Sequence, residues 1–535
     1  VAKSALSQFD FSGGINAVAS PYLIGPKQCP RIRNLILDEH GALTTRDGYT
    51  VQSTGTGAAG PVALIGQFNK TGAAPIPYVI TSPPTAEGII PTLKLYRTDF
   101  TPWNFVGDLN SVPNAVTPTP QSLTVYDKEI FIVGADTPRM WDGVSLTPVT
   151  ATGGQVLPPG AFHGAFHLGS LWLWNTSLSE TTLDGPSSLR HSDPANPLGS
   201  WLSADQTFLG RGDGQVGMGL STFTIAETGI APTQTLVAFK NFSTYQITGF
   251  LGLSDNTNVQ RVKTDMGCVA PRTIQFISGF GIIRLTHKGF ALYDGVEDRI
   301  ISEEIRPYIF GNESITGLTT NGLDRSWAMQ SQNPPAYIVA CPVGSVALTR
   351  IFIYDLIRRS WTVCDYFEDF QCLAVRFTIG AKPALLAGSA SANPPEVYEL
   401  FKGDSTDDGV PISWNIRTRT FYANSFMRPA YWRRLVADIA TDGNENVAFT
   451  IHPAGQNAPI RTVINYASPL QSAKWGTAVW SQFVWNGSGL QDARRSVDIM
   501  RTSPSIYADL EGEGRVKIRG LEWQVSPKPM TRQVR

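Results

Sequence analysis

Charge is scarce in this chain of 535 residues. Only 16% are Asp, Glu, Lys or Arg, where about 25% is typical of globular domains. That excludes a charge-rich disordered chain and a coiled coil. The net charge of -1 is not that of a basic nucleic-acid binder. Cysteine is scarce as well, at 5 residues, Cys29, Cys268, Cys341, Cys364 and Cys372, with no CxxC pair. An odd number without repeated spacing argues against a disulfide scaffold or a zinc finger and predicts free buried thiols made in a reducing cytosol. No apolar run approaches the roughly 18 residues of a membrane helix. The opening VAKSALSQFDFSGG lacks the apolar core of a signal peptide, which fits a natural start after a removed Met. Helical periodicity is nearly missing. Only GVEDRIISEEIRPYIFG, with Ile301, Ile305 and Ile309 four apart, predicts a short helix, which Pro307 should disturb. P-loop, GxSxG, HExxH and dinucleotide motifs are absent. The expectation is a protein that is no enzyme and takes no cofactor and no metal.

Turn formers and aromatics are abundant. Gly 50, Pro 37, Trp 13, Tyr 16 and Phe 26, with 42% hydrophobic residues, describe an all-β protein of many short strands with enough apolar surface for a core. A short strand ending in an aromatic and a turn recurs along the chain. The copies are LKLYRTD at Tyr96, PRMWDG at Trp141, SLRHSD at His191, STYQITG at Tyr245, FALYDG at Tyr293, IFIYDL at Tyr354 and EVYELFKG at Tyr398. Their mean spacing of about 50 residues lies near the range of β-propeller blades, and five to seven blades fit. Polar turns at Asp127-Lys128 and at Gly279 predict the hairpins that antiparallel blades need. Trp103, Trp201 and Trp361 follow three of the markers at short range and are expected to pack between neighbouring blades. Stacked sandwiches are the alternative architecture.

The pattern changes near Asp404. GDSTDDG, 403–409, is a polar turn cluster, and longer alternating strands follow it. Residues 405–535 hold 16 Lys and Arg against 11 Asp and Glu, a surplus of 5, which leaves residues 1–404 at -6. In SIYADLEGEGRVKIRGLEWQV, Val516 and Ile518 share one parity while Leu521, Trp523 and Val525 take the other. A bulge at Gly520 would restore one apolar face. Three parts are expected: an N-terminal arm and hairpin over 1–50, a β-propeller-like domain over 51–404, and a C-terminal β-sandwich, or open barrel, over 405–535.

Candidate chemistry is thin. His163 and His167 are four apart, but on a strand they sit about 13 Å apart, too far to share an ion. SDPANPLGSW, 192–201, departs from the Asp-box turn of sialidase propellers, since Asp193 directly follows Ser192 and the Gly comes late. Arg211-Gly212-Asp213 reads as a Gly-rich turn, and the acidic pairs Glu303-Glu304 and Glu368-Asp369 as solvated surface.

The first fifty residues are the most specific stretch. Phe9 and Phe11 alternate into Gly13-Gly14, followed by Asn16. A strand at Asn34-Leu35-Ile36-Leu37, a turn at Asp38 to Gly41, and a second strand through Leu43 to Arg46 and Gly48 come next. This predicts an extended arm and a hairpin, with Arg46 lying over the hairpin or pairing across it. The succession Phe11, Gly13, Gly14, Asn16, then Asn34, then Gly41, Arg46 and Gly48 resembles the opening of the tail nozzle or hub (tail tubular B-like or stabilisation) proteins of short-tailed bacteriophages. His191-Ser192-Asp193, Pro197 and Trp201 are similar to a later strand of that family. Asp47 and the long Pro-rich inserts depart from it. The resemblance implies a structural virion protein assembled in the host bacterial cytoplasm and placed at the tail tip. It implies a homohexameric tube below the portal and its adaptor, tail fibres or spikes attached outside, and passage of viral double-stranded DNA during ejection. Those motif residues would then be structural. The alternative is a glycan-binding or glycan-hydrolysing propeller at a cell surface, which would show a pocket of converging Arg, carboxylates and exposed Trp.

Overall fold

In a computed structural model the chain is all-β, a propeller joined to a sandwich. The structure describes residues 4–527 apart from 84–91, 100, 111–118, 135, 152–156, 177–183, 203–204, 226–232, 249–257, 333–334, 346, 378–381, 391–393, 403–405, 424–427, 442–444, 457, 467–470, 473–482 and 485–490. Most of GDSTDDG's first half, 403–405, therefore lies outside the described residues.

Five four-stranded antiparallel sheets follow one another over 62–108, 121–148, 163–208, 217–261 and 275–300, each with its strands in sequence order. They are blades 1 to 5. A seven-stranded sheet supplies two more, because the strand Ser360–Arg376 is shared. Its first half is the outer strand of blade 6, paired with Leu348–Asp355. Its second half is the inner strand of blade 7, paired with Ala384–Ser389. Blade 7 is completed by Tyr49–Thr54, which pairs with Glu396–Leu400 as its outer strand. The inner strands of consecutive blades touch all the way round, and blade 7 meets blade 1. An early strand thus closes a seven-bladed ring and protects an edge that would otherwise stay open.

The aromatic markers map onto this ring. Tyr96, Trp141, His191, Tyr245, Tyr293, Tyr354 and Tyr398 each lie on the third strand of their blade. Trp103, Trp201 and Trp361 are buried. Trp361 of blade 6 stacks on Phe290 of blade 5 with ring centroids 5.1 Å apart, and Trp201 packs with Val125 and Ile130 of blade 2 and Leu171 of blade 3. Amide side chains stitch blades together where backbone cannot. Gln121 exchanges two hydrogen bonds of 2.9 Å with the Gly164 backbone, and Gln67 does the same for Phe377 at 2.8 and 2.9 Å. The helix expected around Ile305 is one turn of 3-10 helix, Glu303–Ile305, running into Arg306–Phe310. Pro307 opens this last turn instead of disturbing it, since the first helical N–H groups have no partner to lose.

The sandwich is built from both chain ends. One sheet runs Gln491–Ser503, Ala430–Thr441, Val516–Pro527, Leu43–Thr45, Leu35–Leu37, with Ser4–Gln8 also paired to Val516–Pro527. The other runs Arg31–Arg33, Ser413–Arg417, Ser505–Glu513, Asn446–Pro453, Ile460–Asn465. Trp414, Phe421, Trp432 and Trp523 fill the core between the sheets. The register against Ala430–Thr441 slips between Asp438 and Ile439, opposite Gly520 and Ile518. Val516, Ile518, Leu521, Trp523 and Val525 are all buried as a result. Residues 1–50 are therefore not a free-standing arm and hairpin. The hairpin forms, with Leu35–Leu37 paired to Leu43–Thr45, but it and the arm are strands of the C-terminal domain, and the chain enters the propeller only at Tyr49. One continuous hydrophobic core runs from the sandwich into blades 5 and 6.

Candidate functional site

Five residues of the N-terminal motif, Gly14, Asn16, Asn34, Arg46 and Gly48, meet the seam between sandwich and propeller, and Phe11, Gly13 and Gly41 brace the arm and hairpin behind them. Phe11 is fully buried there, and its N–H donates to the Gly41 carbonyl at 2.9 Å. The Gly13 N–H donates to the Lys27 carbonyl at 3.1 Å. Gly14 has φ +65°, and a Cβ there would stand 2.6 Å from the carbonyl oxygen of Trp361 in blade 6. Only a residue without a side chain admits that approach. The Asn16 amide donates to Gln28 Oε1 at 3.0 Å, and Gln28 Nε2 donates to Glu304 Oε1 of the propeller at 2.7 Å. Burial pushes the Glu304 carboxyl above its usual range.

Asn34 and Arg46 are the hub of the seam. Asn34 sits in the left-handed region at φ 57°, which Asn tolerates better than most residues. Its N–H donates to Val363 O at 3.0 Å. Its side-chain oxygen accepts the Asp365 N–H at 2.9 Å, and its amide donates to Ser413 O at 2.7 Å. One side chain thus ties blade 6 to the sandwich. Arg46 is 1% exposed and Asp407 2%. The guanidinium forms a two-pronged ion pair with Asp407, Nη1 to Oδ1 at 2.7 Å and Nη2 to Oδ2 at 2.5 Å. Nη2 also donates to Asp365 O at 3.2 Å, and the group lies 3.8 Å over the Tyr366 ring. Burial works against the Arg46 charge, but Tyr366 and Asp407 outweigh it and hold the group above its ordinary value. Gly48 lets the chain cross at close range, since a Cβ there would fall 1.7 Å from Thr406 O. Arg46 thus pairs across its hairpin, Nε donating to Asn34 Oδ1 at 3.3 Å, and also reaches beyond it to Asp407 and to Asp365 and Tyr366 of blade 6. Its partners Asp407, Asp365 and Tyr366 carry no sequence signal that marks them. This arrangement joins two domains.

A concave feature away from the seam is the central channel of the propeller, a cavity of about 450 Å³ lined from all seven blades. Arg272, His163, Trp327, Gln330 and Gln332 supply its chemistry, and among the described residues its lining contains no Asp or Glu. His163 and His167 share the strand His163–His167. Burial, and for His163 also the Arg272 charge, depress them to about 3 and about 4. The Arg-Gly-Asp tripeptide is pinned. Arg211 pairs with Asp184, and Asp213 with the fully buried Lys240 at 2.8 Å. The five cysteines are buried free thiols. Among the described residues no helix is long and apolar enough to cross a membrane.

No family model matches this chain, and no curated protein does. Solved structures match it at low similarity. BBS1N in complex with ARL6DN matches 67% of this chain and 98% of its own at 10% identity and a TM-score of 0.40. The dihydro-heme d1 dehydrogenase NirN matches 70% of this chain and 72% of its own at 10% identity and 0.34. An exo-β-1,3-galactanase from Phanerochaete chrysosporium matches 90% of this chain and all of its own at 8% identity and 0.24. Likeness this distant says nothing of activity; the all-β propeller rests on the strand order above.

Proposed function

We infer that this chain is a structural virion protein, the nozzle or hub at the tail tip of a short-tailed bacteriophage, working as a homohexameric tube through which the genome is ejected. The observation that carries the reading is the use made of the motif residues. Gly14, Asn16, Asn34, Arg46 and Gly48 are spent on bonds and close packing at one seam, and Phe11, Gly13 and Gly41 on holding the arm and hairpin that form it. A sequence signature that serves rigidity suits a part that must hold shape under load. The rival reading as a glycan hydrolase needs a pair of carboxylates about 5–9.5 Å apart, and the described residues of the channel lining offer none.

In this reading the DNA path lies between copies of the chain. A cavity of about 450 Å³ is of small-ligand size, so a duplex does not thread one propeller. Tail adaptor and fibre or spike proteins would contact the assembled ring. Native mass measurement and imaging, of the protein alone and with the adaptor, test the assembly; a closed six-membered ring is expected. One to three copies per virion, or none in the tail, would overturn it. The conduit should also bind its cargo weakly. The net charge of -1 gives little counterion release, so duplex affinity weaker than about micromolar is expected near 0.15 M salt. Tight binding with a steep salt slope would point to a nucleic-acid-binding protein.

A further inference from the structure

The central channel holds a cation that no described carboxylate answers. Arg272 sits in the turn Pro271–Thr273 ahead of blade 5. From there its Nη2 reaches across to blade 2, donating to Thr119 O at 2.6 Å and to Pro120 O. Its guanidinium lies 5.1 Å from the Trp327 ring of blade 6. Its Nε is buried without a hydrogen-bond partner. Carbonyls and a ring face orient the group, but they do not cancel its charge. Burial draws its pKa down to about 10, the direction expected of a cation short of counter-charge. His163 beside it stays neutral, so the described lining carries one positive charge.

The rest of the lining is neutral. Gln330 and Gln332 bring amides, Trp327 brings a ring, and Leu64, Leu220 and Met329 bring apolar surface. An uncompensated buried charge costs stability, and a bound counter-ion recovers it. A volume of about 450 Å³ lies within the roughly 300–1,000 Å³ of small-molecule sites. One guanidinium matches one carboxylate, whose two oxygens fit the planar fork; a phosphate dianion would leave a charge unanswered.

We propose that the central channel of the propeller binds a compact monocarboxylate carrying hydroxyl groups, of the size of a sugar acid, with Arg272 holding the carboxylate and Gln330 and Gln332 the hydroxyls. This is a binding site and not a catalytic one, and it stands apart from the seam. The probe is glucuronate, titrated into the full chain by calorimetry and by thermal shift. Glucose serves as the uncharged counterpart and inorganic phosphate as the dianion. Saturable binding of glucuronate alone is expected. Arg272→Gln should weaken it about ten- to hundredfold, the loss of a charge-assisted pair. Gln330→Glu covers the case in which Arg272→Gln fails to fold. It supplies the missing carboxylate from within, so it should abolish glucuronate binding and raise the melting midpoint. Three results would overturn the site: no response to glucuronate, an equal response to phosphate or glucose, or an unchanged response in folded Arg272→Gln and Gln330→Glu.

Discussion

The propeller and the sandwich are drawn from the chain in opposite ways. Blades 1 to 5 each pair strands that follow one another directly in the chain. The sandwich pairs Ser4–Gln8 and Leu43–Thr45 with Val516–Pro527, and Arg31–Arg33 with Ser413–Arg417. Local pairing closes small loops at little entropic cost and leaves a repeat in the sequence. Pairing of the chain ends must wait for everything between them and leaves no local trace. The strand Tyr49–Thr54 links the two modes, since the chain passes straight from the sandwich hairpin into the outer edge of blade 7.

Deleting residues 1–48 should break this relation most severely. The sandwich would lose Ser4–Gln8, Arg31–Arg33, Leu35–Leu37 and Leu43–Thr45. Amide-exchange protection should vanish over 430–441 and 516–527 yet persist in blades 2 to 5. Persistence in the sandwich would show the N-terminal strands to be accessory. Next in size is the seam ion pair. Arg46→Ala or Asp407→Ala leaves one charge buried alone, at about 3–5 kcal/mol, read by denaturant unfolding. The double replacement Arg46→Met with Asp407→Leu should fall closer to the parent, because a buried pair and a packed apolar pair are of similar stability.

Two glycines sharpen the contrast between rigid and yielding contacts. Gly48→Ala meets the Thr406 backbone and should cost about 1–3 kcal/mol or more. Gly520→Ala meets first the Phe9 ring, and Phe9 is 54% exposed and free to swing away, so less than about 1 kcal/mol is expected. Similar losses in the two variants would contradict this difference.

The smallest effect is a pH response confined to blade 3. Burial holds His163 and His167 at about 3 and about 4, below the roughly 6.5 of an unfolded histidine. Between those values the unfolded chain takes up protons that the folded chain refuses. The stability in question is full above about pH 6.5 and is lost as pH falls towards the folded values. Replacing both with Gln should flatten the acid side of the melting-temperature profile. An unchanged slope would place these side chains in water.

Much of the propeller was legible because its order is local. Alternation, turn residues and an aromatic at the end of one strand per blade are all properties of short segments, and Tyr96 through Tyr398 stand on equivalent strands for that reason. The blade number was not legible, because the last blade borrows Tyr49–Thr54 and shares Ser360–Arg376 with blade 6. In the sandwich the parity switch at Gly520 marked the slip in register before any partner strand was known. The motif residues marked the seam but not what they touch.

The sequence by itself determined the all-β class, the repeat, the strand ends and the buried, unpaired state of the cysteines, since backbone sterics and hydrophobic alternation act over a few residues. Tertiary structure alone decided which strands close the ring, that Arg46 meets Asp407, and that Arg272 reaches Thr119 beside Trp327. Those contacts join residues tens to hundreds of positions apart. Their geometry exists only after the chain has closed on itself, and no local pattern records it.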